Sequence, residues 1–131
     1  MSERRTINDL LASARAGLRR AEPRDAHAAM REGALLVDIR SEVQRDADGV
    51  VPGALFFPRN VLEWRLDPAS GHADPRVPGP EVEVIVMCNE GYQSSLAAAT
   101  LQEIGLPSAT DMIGGFEAWR DAGLPIEPCP E

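Results

Sequence analysis

The segment 82–87, which reads VEVIVM, constrains the fold more than any other part of this sequence. Its β-branched and apolar residues favour a strand. A continuous apolar run of this length is typical of a strand that is buried on both faces of a parallel sheet. The segment 34–39 (ALLVDI) has the same character. Since such a sheet needs helices on both faces, the two runs predict an α/β fold with a central, mostly parallel sheet.

Helical and strand patterns alternate along the rest of the chain. Helices are expected over residues 6–20, 24–32, 60–65, 96–104 and 116–122, and further short strands over 54–57 and 109–113. Thr6 and Asp9 have the spacing of a capping box, and Ser94 or Ser95 is expected to cap the helix 96–104. The Pro- and Gly-rich stretch 67–80 is expected to be an exposed loop.

A length of 131 residues suits one domain and is too short for two. We expect a single domain over residues 1–131, with a helical N-terminal segment at 1–32 and a core at 33–126. Apolar residues make up 44% of the chain and charged residues 26%, which are ordinary values for a globular protein. The composition therefore argues against a disordered or fibrous chain.

The charge of the chain is negative overall and unevenly distributed. The formal net charge is -8, and an acidic protein repels phosphate backbones, so we expect no nucleic-acid partner. Residues 1–32 carry seven arginines and five acidic residues, whereas residues 33–131 carry six arginines and sixteen acidic residues. The basic N-terminal segment is expected either to pack on the sheet or to dock an acidic partner or a second copy of the acidic body.

Neither a membrane span nor a disulfide framework is expected. No apolar run approaches the roughly 18 residues that a membrane span needs, and the first residues lack the pattern of a signal peptide. Cys88 and Cys129 are the only two cysteines, which is too few for a secreted scaffold that disulfides hold together. These features predict a cytoplasmic protein without a membrane partner.

Cys88 lies where chemistry is expected in an α/β fold, at the carboxyl end of the predicted strand 82–87 and just before a helix. The free N–H groups of a helix N-terminus and of a curled loop favour a thiolate over a thiol. The same groups would stabilise a persulfide, a sulfonate or a phosphate. The alternative is that Cys88 is a small buried apolar residue at a strand end, which is common for a free cysteine.

Four segments resemble the single-domain rhodaneses, a family of sulfurtransferases. They are LVDIR at 36–40, GVVPGA at 49–54, CNEGYQS at 88–94, and GGFEAW at 114–119 followed by GLP at 123–125. The segment 88–94 (the Cys88 loop) is similar to the family's active loop, and together the matches extend over residues 34–126.

The resemblance implies a three-layer fold with a central five-stranded parallel sheet flanked by helices. It also implies a sulfurtransferase in which Cys88 takes sulfur from a small donor, thiosulfate or a persulfide, and passes it to a thiol or another nucleophile such as cyanide. A protein could serve as donor or acceptor, and neither a metal nor an organic cofactor is needed. The remaining residues of the Cys88 loop would bind the persulfide: Asn89, Glu90, Gly91, Tyr92, Gln93 and Ser94.

The chain departs from the family pattern at three positions. Gln93 stands where the family often has Arg or Lys, Glu90 adds a negative charge to the loop, and Val50 replaces a histidine. We therefore assign no general base, and we expect a thiolate or persulfide to be stabilised mainly by main-chain amides and a helix N-terminus. Thiosulfate is expected to be a poor donor, and the reaction with it should become faster with salt or in Gln93→Arg.

Several alternatives remain open from the sequence. A non-catalytic rhodanese-like binding or regulatory module would also tolerate Gln93 and Glu90. A phosphatase is less favoured because the loop 88–93 is short and contains no arginine, and arsenate reduction has no support of its own. Asp38 and Arg40 could orient the loop or form a structural ion pair, and Trp64 could line the mouth of the site or pack in the core.

Overall fold

A computed structural model describes residues 3–130 of the chain as an α/β fold with one parallel sheet. The helices are α1 (Ile7–Ala16), α2 (Pro23–Met30), α3 (Glu42–Asp48), α4 (Leu62–Leu66), α5 (Gln93–Glu103) and α6 (Gly115–Asp121). The strands are β1 (Leu35–Asp38), β2 (Leu55–Phe56), β3 (Val84–Met87) and β4 (Ala109–Asp111). A single 3-10 turn, Arg59–Val61, precedes α4.

All pairs in the sheet are parallel, in the order β2-β1-β3-β4, which confirms the predicted α/β class. The expectation of five strands was wrong, because the sheet has four strands over residues 3–130. Beyond β4, Ala21 forms one isolated parallel bridge with Met112, and its N–H donates to the Asp111 carbonyl at 2.9 Å. Pro23 starts α2 two residues later, so the chain turns away before a fifth strand can form.

The core consists of two apolar clusters, one on each face of the sheet, as the run 82–87 predicted. Val84 and Val86 of β3 face a cluster that includes residues of α4 and α5, whereas Ile85 and Met87 face α2 and α6. Helix α1 packs on α5, outside the first cluster. The result is the predicted three-layer arrangement, and it leaves the carboxyl end of β3 open to the loops.

Two helices differ from the sequence expectations for identifiable reasons. Helix α3 was not predicted because it buries no residue and shows no apolar period, and its one signal is a capping box between Ser41 and Gln44. Helix α5 begins at Gln93 rather than at 96, so Ser94 and Ser95 lie inside its first turn and are buried instead of capping it. The capping box of Thr6 and Asp9 on α1 is confirmed. Over residues 3–130, no helix is long and apolar enough to cross a membrane.

Candidate active site

Cys88 follows β3 directly and is only 8% exposed. Its Sγ accepts hydrogen bonds from two main-chain amides of its own loop, Gly91 at 3.1 Å and Ser94 at 3.4 Å. Amide donors stabilise negative charge on sulfur more than they stabilise a neutral thiol. The loop therefore directs two main-chain donors at the Cys88 sulfur.

The amides of Tyr92 and Gln93 lie between these two donors in the chain. Within residues 3–130, neither amide N–H donates to a protein acceptor. Both residues border the pocket described below, at the N-terminus of α5. Two main-chain donors thus remain available beside the sulfur for a group bound to it.

A pocket of about 300 Å³ lies over Cys88, which is enough for a small anion or a persulfide. Its walls come from the Cys88 loop and from the segment after β1: Ile39, Arg40, Ser41, Gln44, Cys88, Asn89, Glu90, Tyr92 and Gln93. The loop side chains Glu90, Tyr92 and Gln93 are exposed. The sequence-predicted loop residues are therefore brought together around one opening, and Gly91 and Ser94 lie buried beneath it.

Two polar atoms near this pocket are buried and have no hydrogen-bond partner within the described part of the chain. They are Nη1 of Arg40, a donor, and Oδ1 of Asn89, an acceptor, and both residues line the pocket. An unpaired buried polar group costs about 1–3 kcal/mol. The pocket therefore favours a polar occupant over an apolar one.

Asp38 and Arg40 form a buried ion pair at the end of β1. Arg40 Nη2 lies 2.9 Å from Asp38 Oδ2, and Arg45 also donates to this carboxylate, at 3.3 Å. The Arg40 guanidinium stacks 3.8 Å from the ring centroid of Phe116, whose N–H donates to the Cys88 carbonyl at 2.8 Å. The pair therefore contacts the Cys88 loop through Phe116, and its Arg40 also lines the pocket.

Helix α6 holds the first half of the Cys88 loop mainly by main-chain contacts, with one side-chain bond from Asn89 Nδ2 to the Glu117 carboxylate at 3.0 Å. In addition to the bond from Phe116, the Glu117 N–H donates to the Asn89 carbonyl at 3.1 Å. A Cβ on Gly115 would collide with the main chain of Cys88 and Asn89. Gly115 of the 114–119 motif is therefore required by the close approach of α6 to the loop.

Helix α1 and the segment after it hold the second half of the loop through side chains. Nη2 of Arg15 and Nη2 of Arg20 both donate to the Gly91 carbonyl, at 2.8 and 2.9 Å. Arg15 Nε also donates to Ser95 Oγ at 3.0 Å. Neither arginine was expected at the site from the sequence, because the contacts cross more than 70 residues of chain.

Asp111 is the buried centre of this second contact. It is fully buried at the end of β4, and one of its oxygens accepts from Ser94 Oγ and Ser95 Oγ, each at 2.7 Å. Arg20 pairs with the same carboxylate at 2.9 Å. The two serines were expected to cap a helix, because their bonds to an aspartate 16 and 17 residues further along leave no local pattern in the sequence.

Two residues considered from the sequence lie elsewhere. Trp64 is 55% exposed and borders a separate surface pocket together with Arg59 and Ile104, so it does not line the site. Cys129 is partly buried next to Asp46, and burial together with a hydrogen bond to that carboxylate raises the pKa of the Cys129 thiol. Cys129 is not among the residues that border the pocket over Cys88.

The fold and the site thus define an α/β domain with a cysteine held by main-chain amides at a strand end. The family model described as Rhodanese-like domain matches residues 22–122, so the chain belongs to the rhodanese-like domain family. A sulfurtransferase from Allochromatium vinosum is 33% identical over 72% of this chain and 79% of its own length. Thiosulfate sulfurtransferase GlpE from Haemophilus influenzae is 34% identical over 80% of this chain and 90% of its own length.

Two solved structures share the fold, and one of them extends the match over almost the whole chain. A protein of unknown function from Rhodopseudomonas palustris, described as a possible tyrosine phosphatase, has a TM-score of 0.85 and 35% identity, covering 97% of this chain and 98% of its own. The human single-domain sulfurtransferase has a TM-score of 0.65 and 25% identity, and the match covers 78% of this chain and 95% of the human one. The first match includes almost the whole N-terminal segment, where Arg15 and Arg20 lie.

Proposed function

We propose that the protein is a sulfurtransferase or sulfane-sulfur carrier that forms a persulfide on Cys88. The observation that carries the proposal is the pair of amide hydrogen bonds to Sγ, with two further free amides beside it. The sulfurtransferase names of the two curated relatives support the same chemistry. The residues of the Cys88 loop would act as the binding site for the transferred sulfur.

The first half of the reaction loads the enzyme. The Cys88 thiolate attacks the outer sulfur of the donor, a new bond forms between Sγ and that sulfur, and the bond to the donor breaks. With thiosulfate, sulfite leaves with the electron pair of the broken bond. With a persulfide donor, the donor thiolate leaves instead, and in both cases the negative charge of the cysteine persulfide lies on its outer sulfur.

The second half transfers the sulfur to an acceptor. An acceptor thiolate attacks the outer sulfur, and the bond between the two sulfurs breaks. The electron pair returns to Sγ, where the amides of Gly91 and Ser94 receive the restored thiolate. The cycle therefore needs no external oxidant, because the sulfane sulfur keeps its oxidation state.

The charge around the pocket suggests which donors suit this site. Glu90 and Gln93 are both exposed at its rim, so an approaching dianion first meets a carboxylate. The cation in the pocket wall, Arg40, is already paired with Asp38. We therefore propose that a low-molecular-weight or protein persulfide is a better donor than thiosulfate, with a thiol as acceptor. We also propose a cytoplasmic location, where a reducing environment would keep Cys88 free.

The test is intact mass spectrometry after incubation with thiosulfate or with a persulfide. Wild type and Cys129→Ser should each gain one sulfur atom that a reducing thiol removes, whereas Cys88→Ser should gain none. Absence of any gain in wild type with both donors would contradict the proposal. If, in addition, Cys88→Ser kept partner binding and the cellular phenotype, the protein would be a non-catalytic binding or regulatory module instead.

The choice of donor is tested at the pocket rim. Gln93→Arg and Glu90→Gln should each raise the rate with thiosulfate, and each should change the rate with a neutral persulfide donor much less. The exposed Glu81→Gln is a matched control, because it removes the same charge as Glu90→Gln outside the pocket. Equal effects of Glu81→Gln and Glu90→Gln would mean that only the net charge of the protein matters.

A second candidate is a phosphatase, because the Rhodopseudomonas palustris protein is described as a possible tyrosine phosphatase. The loop offers a phosphate two free amides and no arginine of its own. Hydrolysis of p-nitrophenyl phosphate by wild type, lost in Cys88→Ser, would favour this function. Sulfur loading without such hydrolysis would favour the sulfurtransferase.

A further inference from the structure

The Gly91 carbonyl is the point at which the N-terminal segment meets the site. It accepts one hydrogen bond from Arg15 and one from Arg20, while the amide of the same residue donates to Cys88 Sγ. A carbonyl with two lone pairs can accept two such bonds, and bonds from guanidinium groups are among the stronger ones. One residue therefore connects the reacting sulfur to two cations.

The geometry of the peptide bond extends the effect of this contact to the Tyr92 amide, beside the Cys88 pocket. A trans peptide bond is planar, so the Tyr92 N–H points opposite to the Gly91 carbonyl. Since the two arginines hold that carbonyl on their side, they also fix the Tyr92 N–H facing away from them. Tyr92 borders the pocket, and its amide is one of the two beside Sγ that have no protein acceptor in residues 3–130.

The two arginines differ in charge balance. Arg20 pairs with buried Asp111, so its charge is largely compensated. Arg15 forms no ion pair within the described residues, and its other contacts are the neutral Ser95 hydroxyl and the face of the Tyr92 ring, at 5.6 Å. Arg15 therefore places one uncompensated positive charge next to the Cys88 loop.

We propose that Arg15 and Arg20 are positioning residues that hold the Gly91 peptide in its sulfur-binding orientation, and that Arg15 also supplies the cation that the loop lacks at Gln93. The roles in sulfur transfer rest on the proposed function, but the geometry does not. Both arginines precede the segment 22–122 that the family model matches, so the family pattern does not account for them. The N-terminal segment thereby becomes part of the site rather than a separate docking element.

The experiment compares Arg15→Gln with Arg19→Gln, both in a Cys129→Ser background so that only Cys88 can react. Arg19 is exposed and makes no hydrogen bond or ion pair in residues 3–130, so its replacement removes the same charge without touching the loop. Cys88 is alkylated with iodoacetate, which is anionic, and with iodoacetamide, which is neutral. The ratio of the two rates cancels the thiolate fraction and reports the local field.

In Arg15→Gln we expect the iodoacetate-to-iodoacetamide ratio to fall about threefold at low salt, which is the effect of one charge at short range in a partly aqueous setting. The difference should shrink in high salt. Arg19→Gln should keep the wild-type ratio. An equal ratio in both variants would overturn the role of Arg15 as the local cation.

Two conservative variants separate charge from positioning. Arg15→Lys should keep the ratio, because the charge remains, but should lower both rates, because one ammonium group cannot reproduce the two contacts of the guanidinium fork. Arg20→Lys should likewise lower both rates and keep the ratio. Wild-type rates in both Lys variants would overturn the positioning role, and urea midpoints would show that each variant is folded.

This experiment also keeps the two proposals apart. Alkylation needs no sulfur donor, so the positioning of the loop can be confirmed in a protein that never accepts sulfur. If Arg15→Gln changes alkylation while wild type fails to load sulfur, the proposed function fails and the positioning stands. If wild type loads sulfur and Arg15→Gln loads it at the wild-type rate, the positioning fails and the function stands.

Discussion

The two halves of the Cys88 loop are held in different ways. On the α6 side, main-chain amides of Phe116 and Glu117 bond to main-chain carbonyls of Cys88 and Asn89. On the α1 side, side-chain guanidinium groups bond to the Gly91 carbonyl. The first contact lies inside the family motif at 114–119, and the second comes from a segment that precedes the family match.

This difference indicates which half of the site is rigid and which is adjustable. The main chains of α6 and the loop approach so closely at Gly115 that no side chain fits there, and dissolved ions affect such contacts little. Contacts made by long, partly exposed arginines respond to salt and can be altered by one substitution. We therefore expect changes on the α6 side to act on folding and changes to the arginines on the α1 side to act mainly on the reactivity of Cys88.

The largest effect is expected on the α6 side, from Gly115→Ala. Gly115 has φ +61°, and its Cβ would meet the main-chain carbonyl of Cys88. A left-handed alanine alone costs about 1 kcal/mol, and the clash should bring the loss of unfolding free energy to about 3 kcal/mol or more. Urea unfolding measures it, and Cys88 should lose sulfur uptake as the contact opens.

Gly123→Ala is the matched control for that variant. Gly123 has a similar φ of +75°, but nothing lies within 4 Å of its Cβ position. It should therefore lose only the conformational part, about 1 kcal/mol. Equal losses in the two variants would mean that the close approach of α6 to the loop contributes nothing.

The next largest effect is expected at Asp111, the buried carboxylate at the centre of the α1-side contact. Asp111→Asn weakens the hydrogen bonds from Ser94 and Ser95 and leaves Arg20 without its carboxylate. Breaking such a buried pair should reduce the unfolding free energy by about 2–3 kcal/mol. Circular dichroism during urea unfolding measures it, and Asp121→Asn on exposed α6 surface should change it little.

If Asp111→Asn proved as stable as wild type, the buried network would be replaceable by neutral hydrogen bonds. The α1 side would then depend on the arginine contacts with Gly91 alone. That result would sharpen the comparison rather than remove it, because Arg15 would still have to account for any loss of reactivity.

The sequence predicted the α/β class because strongly buried strands carry their own signal. The run 82–87 is apolar because β3 packs on both faces, and Cys88 follows it at the sheet edge. The prediction of five strands was wrong because, in the described part of the chain, only one residue, Ala21, bridges to the sheet at the β4 edge. Whether so short a segment pairs with the sheet depends on its neighbours and not on an apolar pattern of its own. Helix α3 was missed because it buries no residue and therefore has no apolar face that the sequence could show.

The site was predictable only as far as it is local in sequence. The amides that reach Sγ lie three and six residues after Cys88, so the loop motif could indicate them. The partners of Gly91 lie 71 and 76 residues away, and no local pattern in an arginine-rich helix identifies which arginine turns inward. Ser94 was expected to cap a helix for the same reason, since its partner Asp111 lies in β4, 17 residues further along the chain.

Another arginine cluster, around Asp74, does not border the pocket over Cys88 and tests whether position or ion pairing alone matters. Hydrogen bonds from Arg76 hold the pKa of the Asp74 carboxyl well below its usual range, and Arg65 adds to this. A lowered pKa contributes stability above about pH 4, the unfolded value, and that stability is lost as the pH falls further. Asp74→Asn should therefore cost about 1 kcal/mol at neutral pH, since Arg76 is largely solvent-exposed.

The gap in unfolding free energy between wild type and Asp74→Asn should narrow below pH 4, as acid protonates the wild-type carboxyl. Alkylation of Cys88 at neutral pH should be the same in both proteins. Glu81→Gln, an exposed acid without a partner in residues 3–130, is the control and should show no pH-dependent gap. Slower alkylation in Asp74→Asn would mean that general loosening, and not local contact, governs the reactivity of Cys88.

The smallest effect is expected from Thr6→Ala, which weakens α1 at its far end. The Thr6 hydroxyl accepts from the Asp9 amide at 3.2 Å and caps the helix. Its loss should cost about 0.5 kcal/mol, the low end for a cap, because α1 buries no residue. The helix end that carries Arg15 should remain in place, so the iodoacetate-to-iodoacetamide ratio at Cys88 should stay at the wild-type value.

Asn8→Ala, on the same exposed turn, removes no cap and serves as the control in thermal unfolding. If Thr6→Ala lowered the ratio as far as Arg15→Gln does, fraying of α1 would be releasing Arg15 from Gly91. The α1 contact would then depend on the order of the whole helix. If the ratio is unchanged, the contact depends on the last turn of α1 alone, which the hydrogen bonds from Arg15 to Gly91 and Ser95 hold against α5.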